Sequence, residues 1–143
     1  MIFKALTPTL SVASQLTEAD IAQAARDGFR AIINNRPDGE EPTQITSKKI
    51  ALLAAQHGME YPFVPAVSGK IGADEITGMA QALARLKAPV LAFCRTGTRS
   101  TTLWALAQAN TLPAEEIIAT AAAAGFDLTA FRPQLEALAS PRA

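Results

Sequence analysis

A run of four apolar residues, Val90–Phe93, constrains the fold of this chain more than any other feature of its sequence. Pro89 precedes the run, and Cys94 and a loop with Gly97 follow it, so turn-forming residues bound it on both sides. A short run without polar residues is typical of a strand buried on both faces, and such strands lie in parallel sheets covered by helices. The run therefore predicts an α/β protein with this segment near the centre of its sheet.

Segments of strand and helix character alternate along the 143 residues. Apolar and β-branched runs predict strands at 3–5, 10–13, 29–34, 61–65 and 90–93. Capping residues, helical periodicity and glycine or proline stops predict helices at 17–28, 46–57, 74–86, 99–108, 113–124 and 128–138. Such alternation indicates a largely parallel central sheet flanked by helices. The length suits one domain, so we expect residues 1–143 to form a single α/β domain.

Composition excludes several classes of protein. The 13 Lys and Arg residues balance 13 Asp and Glu residues, and a formal net charge of zero gives no general attraction to nucleic acid or anionic lipid. One Cys and one His exclude an internal disulfide and the usual multi-thiolate and multi-His metal sites, and we expect no cofactor. No apolar run is long enough to cross a bilayer, so we expect a cytoplasmic protein whose thiol stays reduced.

The strongest functional signal is the segment after the central strand, Cys94-Arg95-Thr96-Gly97-Thr98-Arg99-Ser100. Gly97 permits a loop that curls until its backbone N–H groups converge, and the helix that begins near Arg99 adds partial positive charge there. The planar guanidinium of Arg99 suits an oxyanion. We therefore expect Cys94 to be an activated thiolate nucleophile. The anion-binding loop above it would consist of Arg95, Thr96, Gly97 and Thr98.

An alternative for Cys94 is an inert thiol in the core, the usual role of an isolated cysteine after an apolar run. Its position at the end of the strand, with two arginines and a glycine after it, favours the nucleophile. Ser100 follows Arg99, and its hydroxyl is expected either to hydrogen-bond the sulfur as a catalytic residue or to belong simply to the first turn of the helix.

A second group of candidates follows the strand at 29–34, in the loop Arg36-Pro37-Asp38-Gly39-Glu40-Glu41-Pro42. Because the carboxyl ends of parallel strands meet at one edge of a sheet, we expect Arg36 and Asp38 on the same edge as Cys94. They either orient the substrate or form an Arg–Asp contact within a turn. Asp38, Glu40 or Glu41 would supply a general acid if this loop folds over the site.

The spacing of Cys94 and Arg99 is similar to that in two families of cysteine enzymes. Four residues separate them, as in the pattern C-x-x-G-x-R of rhodanese-like sulfurtransferases, whereas protein tyrosine and dual-specificity phosphatases have five. One residue fewer makes a tighter loop. A tighter loop fits a persulfide sulfur and its small anionic donor better than a tetrahedral phosphate surrounded by amides.

Three blocks of the sequence resemble the phosphatase-like domain of the beta-lactamase hydrolase-like protein family. They are IINNRPDGEEP, the Gly-Met-x-Tyr-x-x-x-Pro stretch at residues 58–65, and CRTGTRS. The resemblance extends over residues 4–138. It implies a fold like that of the dual-specificity phosphatases, in a family whose members carry either phosphatase or sulfurtransferase labels. It also implies a sulfur dioxygenase as a partner.

Two departures from the phosphatase pattern concern the chemistry. Phe93 lies before the cysteine where a typical phosphatase has histidine, and the loop at 65–70 has no carboxylate before Asp74. Cleavage of a phosphoester needs a proton for the leaving oxygen, whereas sulfite leaves thiosulfate readily as an anion. We therefore expect a sulfurtransferase that forms a persulfide on Cys94 and uses a small anionic substrate and a thiol acceptor. The alternatives are a phosphatase that forms a phosphocysteine at Cys94, and a non-catalytic module that binds anions or phosphoproteins.

Overall fold

The computed structural model describes residues 3–139 and has one four-stranded sheet at its centre. The strands are β1 (Lys4–Thr7), β2 (Leu10–Ala13), β3 (Ala31–Asn34) and β4 (Val90–Phe93). Their order across the sheet is β1-β2-β4-β3. β1 pairs antiparallel with β2, whereas β4 is parallel to both β2 and β3. The predicted α/β fold with a largely parallel sheet is confirmed.

Six α-helices cover the two faces of this sheet in the described part of the chain. They are α1 (Glu18–Arg26), α2 (Ser47–Gln56), α3 (Ala73–Arg85), α4 (Thr98–Gln108), α5 (Ala114–Ala123) and α6 (Arg132–Leu138). Apolar residues of α1 and α2 pack on one face, and those of α3 to α6 pack on the other. None of the helices in residues 3–139 is long and apolar enough to span a bilayer.

Strand β4 supplies side chains to both layers of the core. Leu91 and Phe93 pack with residues of α1 and α2, whereas Val90 and Ala92 pack with residues of α3 and α4. All four are buried because successive side chains of a strand point to opposite faces and helices cover both. The prediction of a central strand at 90–93 is confirmed.

Helix α1 begins at the predicted capping residue. Thr17 Oγ1 accepts a hydrogen bond from Asp20 N at 3.1 Å, and Asp20 Oδ2 accepts one from Thr17 N at 2.8 Å. This reciprocal cap satisfies two N–H groups that the helix itself leaves free. It also fixes the residue at which α1 begins. The short segment between β2 and α1 therefore has a defined end, and this segment contributes to the site described below.

The segment at residues 60–66 differs from the strand predicted at 61–65. Its backbone donates three hydrogen bonds to carbonyl groups in and beside β3, from Glu60 N, Val64 N and Ala66 N. Pro62 lies between the first two donors and has no N–H, so the ladder is interrupted and only two isolated bridges form. The prediction of a strand at 61–65 is wrong because proline removes an N–H group that a continuous ladder needs.

The helix predicted at 128–138 consists of two elements. A short 3-10 helix (Thr129–Phe131) comes first, and α6 follows. Pro133 lies in the first turn of α6 and has no N–H to donate to the carbonyl four residues earlier, so a continuous α-helix from residue 128 cannot form. The 3-10 turn places Phe131 close to the loop that follows β4.

Candidate active site

The carboxyl ends of the parallel strands β2, β3 and β4 meet at one edge of the sheet. Phe93 at the end of β4 is in register with Ala13 of β2 and Asn34 of β3, so the three chains leave the sheet side by side. The segments that follow are 14–17, 35–46 and 94–97. Ligands of parallel α/β sheets bind outside this edge, and these segments build the candidate site.

The loop after β4 curls over the sulfur of Cys94. Gly97 N donates a hydrogen bond to Cys94 Sγ at 3.1 Å. Arg95 O accepts one from Gln15 N at 3.2 Å, which ties the loop to the segment after β2. Cys94 is 0% exposed. The thiol therefore lies at the floor of the loop and not on the surface.

Gly97 makes this loop possible. Its φ of +92° is in the left-handed region, and a Cβ atom would lie 3.1 Å from Cζ of Phe126. Any other residue would meet both backbone strain and a contact with an aromatic ring. Gly97 is also the N-cap of α4, so the turn that brings its N–H to the sulfur is the turn that starts the helix.

Helix α4 directs its N-terminus at the same loop. Its first intrahelical hydrogen bond runs from Thr101 N to Gly97 O at 3.0 Å. The N–H groups of Thr98, Arg99 and Ser100 therefore have no acceptor within the helix. They carry the partial positive charge of a helix N-terminus, which favours a bound anion.

Arg99 is buried beside the thiol, with 9% of its surface exposed. Nη1 donates to Glu40 Oε2 at 2.7 Å and to Ala66 O at 3.0 Å, and Nη2 donates to Glu40 Oε1 at 2.9 Å. These contacts use three of the five N–H groups of the guanidinium. The other two, one on Nε and one on Nη2, remain free along one edge of the group. Hydrogen bonds with Glu40 are the largest cause of the raised pKa of Arg99, burial opposes this shift, and the proximity of Cys94 adds to it.

Arg36 lies behind Glu40 and is only 2% exposed. Its Nε donates to Glu40 Oε1 at 2.9 Å, its Nη2 to Glu41 Oε1 at 2.7 Å, and its Nη1 to Gln15 Oε1 at 2.8 Å. Glu40 therefore lies between two buried arginines, Arg36 and Arg99. Because a buried charge is costly unless it is paired, this carboxylate stabilises both guanidinium groups in place.

The arginines keep the two carboxylates of this loop ionised. Hydrogen bonding from Arg99 is the largest cause that lowers the pKa of Glu40, to about 2. A hydrogen bond from Arg36 lowers the pKa of Glu41. At neutral pH both carboxylates accept hydrogen bonds, and neither has a proton to donate.

Comparison with known proteins identifies the family. The family model for the phosphatase-like domain of the beta-lactamase hydrolase-like protein matches residues 2–111. The chain belongs to this family. The resemblance seen in the three sequence blocks is thereby confirmed.

Two relatives of this phosphatase-like domain are themselves named beta-lactamase hydrolase-like proteins. The protein from Agrobacterium fabrum is 39% identical over 100 residues, which are 70% of this chain and 23% of the relative. The protein from Xylella fastidiosa strain Temecula1 is 36% identical over 121 residues, which are 83% of this chain and 28% of the relative. The chain therefore spans about a quarter of the length of these curated relatives.

Solved structures place the phosphatase-like domain in the fold of the cysteine phosphatases. A candidate phosphatase from Neisseria meningitidis matches with a TM-score of 0.86 and 36% identity, over 96% of this chain and 99% of that one. Tk-PTP in its active form matches with a TM-score of 0.73 over 96% of each chain, at 17% identity. A kinase-associated phosphatase matches with a TM-score of 0.74, also at 17% identity, over 98% of this chain and 96% of that one. Because the last two structures are only 17% identical to this chain, they show its fold and nothing about its activity.

Two of the predicted catalytic residues of the phosphatase-like domain have other partners. Asp38 Oδ1 accepts a hydrogen bond from Ser47 N at 2.7 Å, so its carboxylate caps the start of α2. Ser100 is 0% exposed, and its Oγ donates to Asn35 Oδ1 at 2.8 Å rather than to the sulfur of Cys94. The catalytic roles expected for Asp38 and Ser100 are corrected for the same reason, whereas the alternative for Ser100, a place in the first turn of α4, agrees with the structure. Helix N–H groups and buried amides need local partners, and these side chains provide them.

The remaining predicted residues lie together at the carboxyl edge of the sheet. Arg36 is among them, but it pairs with glutamates and Gln15 and not with Asp38, so the expected Arg–Asp turn contact does not form. Thr96 Oγ1 donates to Thr98 Oγ1 at 3.1 Å within the loop. The side chain of Arg95 is 63% exposed, and its Nε lies 3.8 Å from Glu41 Oε1.

Three residues of the site were not predicted in the roles that they have. Gln15 lies two residues after β2 and Asn35 directly follows β3, and they hydrogen-bond Arg36 and Ser100, respectively. A polar residue within two positions of the end of a predicted strand is the sequence signal that points to them. The role of Glu40 as a bridge between two arginines has no signal in the sequence, because Arg99 is far from it along the chain.

Two clefts open at the loop above Cys94, and both are lined by Ser68, Arg95 and Arg99. The charged cleft has a volume of about 320 Å³ and is completed by Arg36, Glu40 and Glu41. The apolar-walled cleft has a volume of about 280 Å³, and its far wall includes Ile71 and Phe131. Small molecules can therefore approach the loop from two chemically different sides.

Proposed function

We propose that this phosphatase-like domain transfers sulfane sulfur through a persulfide on Cys94. One observation carries the proposal: in the described part of the chain, no carboxyl group that reaches the site is free to protonate a leaving group. Glu40 and Glu41 are held ionised by arginines, and Asp38 caps α2. Hydrolysis of an alkyl phosphoester needs such a proton, whereas sulfite leaves thiosulfate as a stable anion.

The spacing of Cys94 and Arg99 supports the same reaction. Only four residues separate them, and the loop closes on the sulfur through Gly97 N at 3.1 Å. A loop this tight suits one additional sulfur atom on Cys94. A phosphoryl group, by contrast, requires hydrogen-bond donors arranged around three equatorial oxygens.

In the first step, the thiolate of Cys94 attacks the outer sulfur of thiosulfate. A bond forms from Sγ to that sulfur, the sulfur–sulfur bond of thiosulfate breaks, and the electron pair leaves with sulfite. The free edge of Arg99 and the N–H groups that open α4 stabilise the negative charge on the donor and on the leaving sulfite. Because Cys94 is fully buried, the loop must move aside from the sulfur for this attack.

In the second step, a thiolate acceptor attacks the outer sulfur of the persulfide. The new sulfur–sulfur bond forms as the bond to Sγ breaks, and the electron pair returns to Cys94. The product is a persulfide of the acceptor, and a sulfur dioxygenase is the class of enzyme that would consume it. The proposal includes such a partner and a reducing compartment such as the cytoplasm, since the nucleophile has to be a free thiol.

Phosphate hydrolysis through a phosphocysteine on Cys94 is the second candidate, and the comparisons favour it over sulfur transfer. The solved structures described above carry the names of phosphatases, including the Neisseria meningitidis protein at 36% identity. The short loop and the ionised carboxylates argue against it. An aryl phosphate would be the most favourable substrate for this reaction, because a phenolate leaving group hardly needs a proton.

Intact mass after treatment with thiosulfate separates the two candidates. We expect the wild-type protein to gain one sulfur atom, to lose it on addition of a thiol, and to show no gain in the variant Cys94→Ser. The parallel assay is hydrolysis of p-nitrophenyl phosphate. Efficient hydrolysis that depends on Cys94, with no gain of sulfur from thiosulfate, would replace the first candidate by the second.

A further inference from the structure

The apolar-walled cleft is larger than an inorganic sulfur donor requires. Its volume of about 280 Å³ is close to the lower end of the range for pockets that bind small organic molecules, about 300 Å³. Arg95 and Arg99 lie on the side of the loop, and Ile71 and Phe131 lie on the far side. An ion such as thiosulfate or cyanide has no apolar part that would contact this far wall.

The far wall is fixed in place by the core. Ile71, in the loop before α3, and Phe131, in the 3-10 helix, are partly buried and pack against the core while they line the cleft. Thr102 of α4 lies in the same lining, and its hydroxyl already donates to Thr98 O at 2.8 Å. Ile71 and Phe131 therefore offer preformed apolar surface, whereas Ser68, Thr96 and Thr98 bring hydroxyl groups to the rest of the lining.

The persulfide proposed on Cys94 needs an acceptor other than a cysteine of these 143 residues, which contain no second one. We propose that the apolar-walled cleft binds the organic body of that acceptor, a small thiol with an aryl or branched alkyl group. The thiolate lies at the loop, near Arg95 and Arg99, and the apolar body contacts Ile71 and Phe131. This inference rests on the proposed sulfur transfer, in which the acceptor takes the outer sulfur and Cys94 regains its electron pair.

Two acceptors of similar thiol chemistry test the inference in turnover. Phenylmethanethiol has an apolar body, whereas 2-mercaptoethanol has none. We expect Phe131→Leu and Ile71→Ala each to raise the KM for phenylmethanethiol on the order of 10-fold, the usual effect of removing apolar contact in a pocket, and to change the KM for 2-mercaptoethanol less than twofold. Leu52→Ala, at an exposed apolar position of α2, is the matched control and should change neither value.

Two unreactive anions test binding without any turnover. Phenylmethanesulfonate has the aryl body and an anionic group, and methanesulfonate has the anionic group alone. Calorimetry should show tighter binding of the aryl ligand to the wild-type protein, and Phe131→Leu should remove most of the difference. Leucine keeps apolar packing at this position, so the variant is expected to fold.

The outcomes separate the two proposals. Equal binding of the two sulfonates to the wild-type protein, or an unchanged preference in Phe131→Leu and Ile71→Ala, would overturn the assignment of the cleft. Preferential binding of phenylmethanesulfonate together with no sulfur transfer to either thiol would keep the cleft as a site for apolar anions. That result would overturn the proposed sulfur transfer and, with it, the identity of the ligand as a thiol acceptor.

Discussion

The guanidinium of Arg99 acts through its shape as well as its charge. It donates to Glu40 twice and to Ala66 O, and still has an edge free for an anion next to Cys94. Lysine has three donors on one nitrogen and cannot hold these contacts and present a flat edge. We expect Arg99→Lys to lower kcat/KM by about 100-fold or more, in the range found when an anion-stabilising donor is removed.

The control for this substitution is Arg85→Lys, at an arginine of α3 whose side chain is 61% exposed. Turnover with thiosulfate and with p-nitrophenyl phosphate is measured for both variants. Wild-type rates in Arg99→Lys would show that any positive charge is sufficient at this position.

Two constraints act on Gly97, a positive φ and a close neighbouring side chain, whereas Gly28 has only the positive φ. Both Gly97 and Gly28 have a φ of +92°, but only Gly97 would place a Cβ atom against Phe126, at 3.1 Å. Gly28→Ala should therefore cost backbone strain alone, about 1–3 kcal/mol in the free energy of unfolding. Gly97→Ala should cost more than Gly28→Ala and should also move the N–H group away from Cys94.

Urea unfolding gives the two free energies, and the rate of alkylation of Cys94 by iodoacetamide reports on the loop. Equal loss of stability in the two variants would mean that the ring of Phe126 moves without cost.

The loop from Cys94 to Arg99 is the element that decides between the two reactions. A residue inserted between Thr96 and Gly97 gives it five intervening residues, the number in tyrosine and dual-specificity phosphatases. We expect the insertion to abolish sulfur transfer and to give at best a small gain on p-nitrophenyl phosphate. Alkyl phosphates should stay uncleaved, since Glu40 remains ionised and supplies no proton.

An insertion after Asn110, in the turn between α4 and α5, is the control for the effect of length alone. Steady-state rates with thiosulfate and with the two kinds of phosphate are compared for both insertions. Unimpaired transfer from thiosulfate in the lengthened loop would refute the argument from spacing.

Elements with one dominant local signal could be predicted from the sequence. The wholly apolar β4 and the capping box of α1 are examples, since a buried strand and a helix cap need only neighbouring residues. Two other features could not be predicted: the interrupted pairing at 60–66, and the break between the 3-10 helix and α6. Each depends on a single N–H group that proline lacks. An apolar pattern does not reveal which individual hydrogen bonds a ladder or helix has lost.

The same distinction applies to the candidate site. Cys94, Gly97 and Arg99 lie within six consecutive residues, so their arrangement around the sulfur could be anticipated. The pairing of Arg99 with Glu40 joins residues far apart in sequence and depends on how a loop with two prolines folds. The position of Asp38 after β3 predicts it at the site, yet the N-terminus of α2 is the nearer partner of its carboxylate.

Across the whole molecule, Glu40 couples the stability of the fold to pH. Its pKa is lowered from 4.5 to about 2, so the ionised carboxylate stabilises the folded protein above about pH 4.5, and this stabilisation is lost as the pH falls toward 2. Glu40→Gln leaves two buried arginines without their shared anion at every pH. The free energy of unfolding should therefore differ most between wild type and variant at neutral pH, and the difference should shrink below pH 4.5.

Chemical denaturation at pH 7, 4 and 2.5 measures this difference. Glu136→Gln is the control, because that carboxylate is 59% exposed and lies 3.6 Å from Arg132 on the surface of α6. It should have little effect at any pH. A difference for Glu40→Gln that stays constant between pH 7 and 2.5 would contradict the role of its charge.

The two borders of the sheet have a consequence for the behaviour of the protein at high concentration. On one border β1 has four residues, and its register shifts between Ala5 and Thr7. On the other border, residues 60–66 include Pro62 and Pro65, which have no N–H to offer. A row of regularly spaced, unpaired backbone groups is the template on which chains add to one another and form amyloid-like aggregates. Within residues 3–139 both borders are short or interrupted by proline, so we expect this domain to resist growth of its sheet from one molecule into the next.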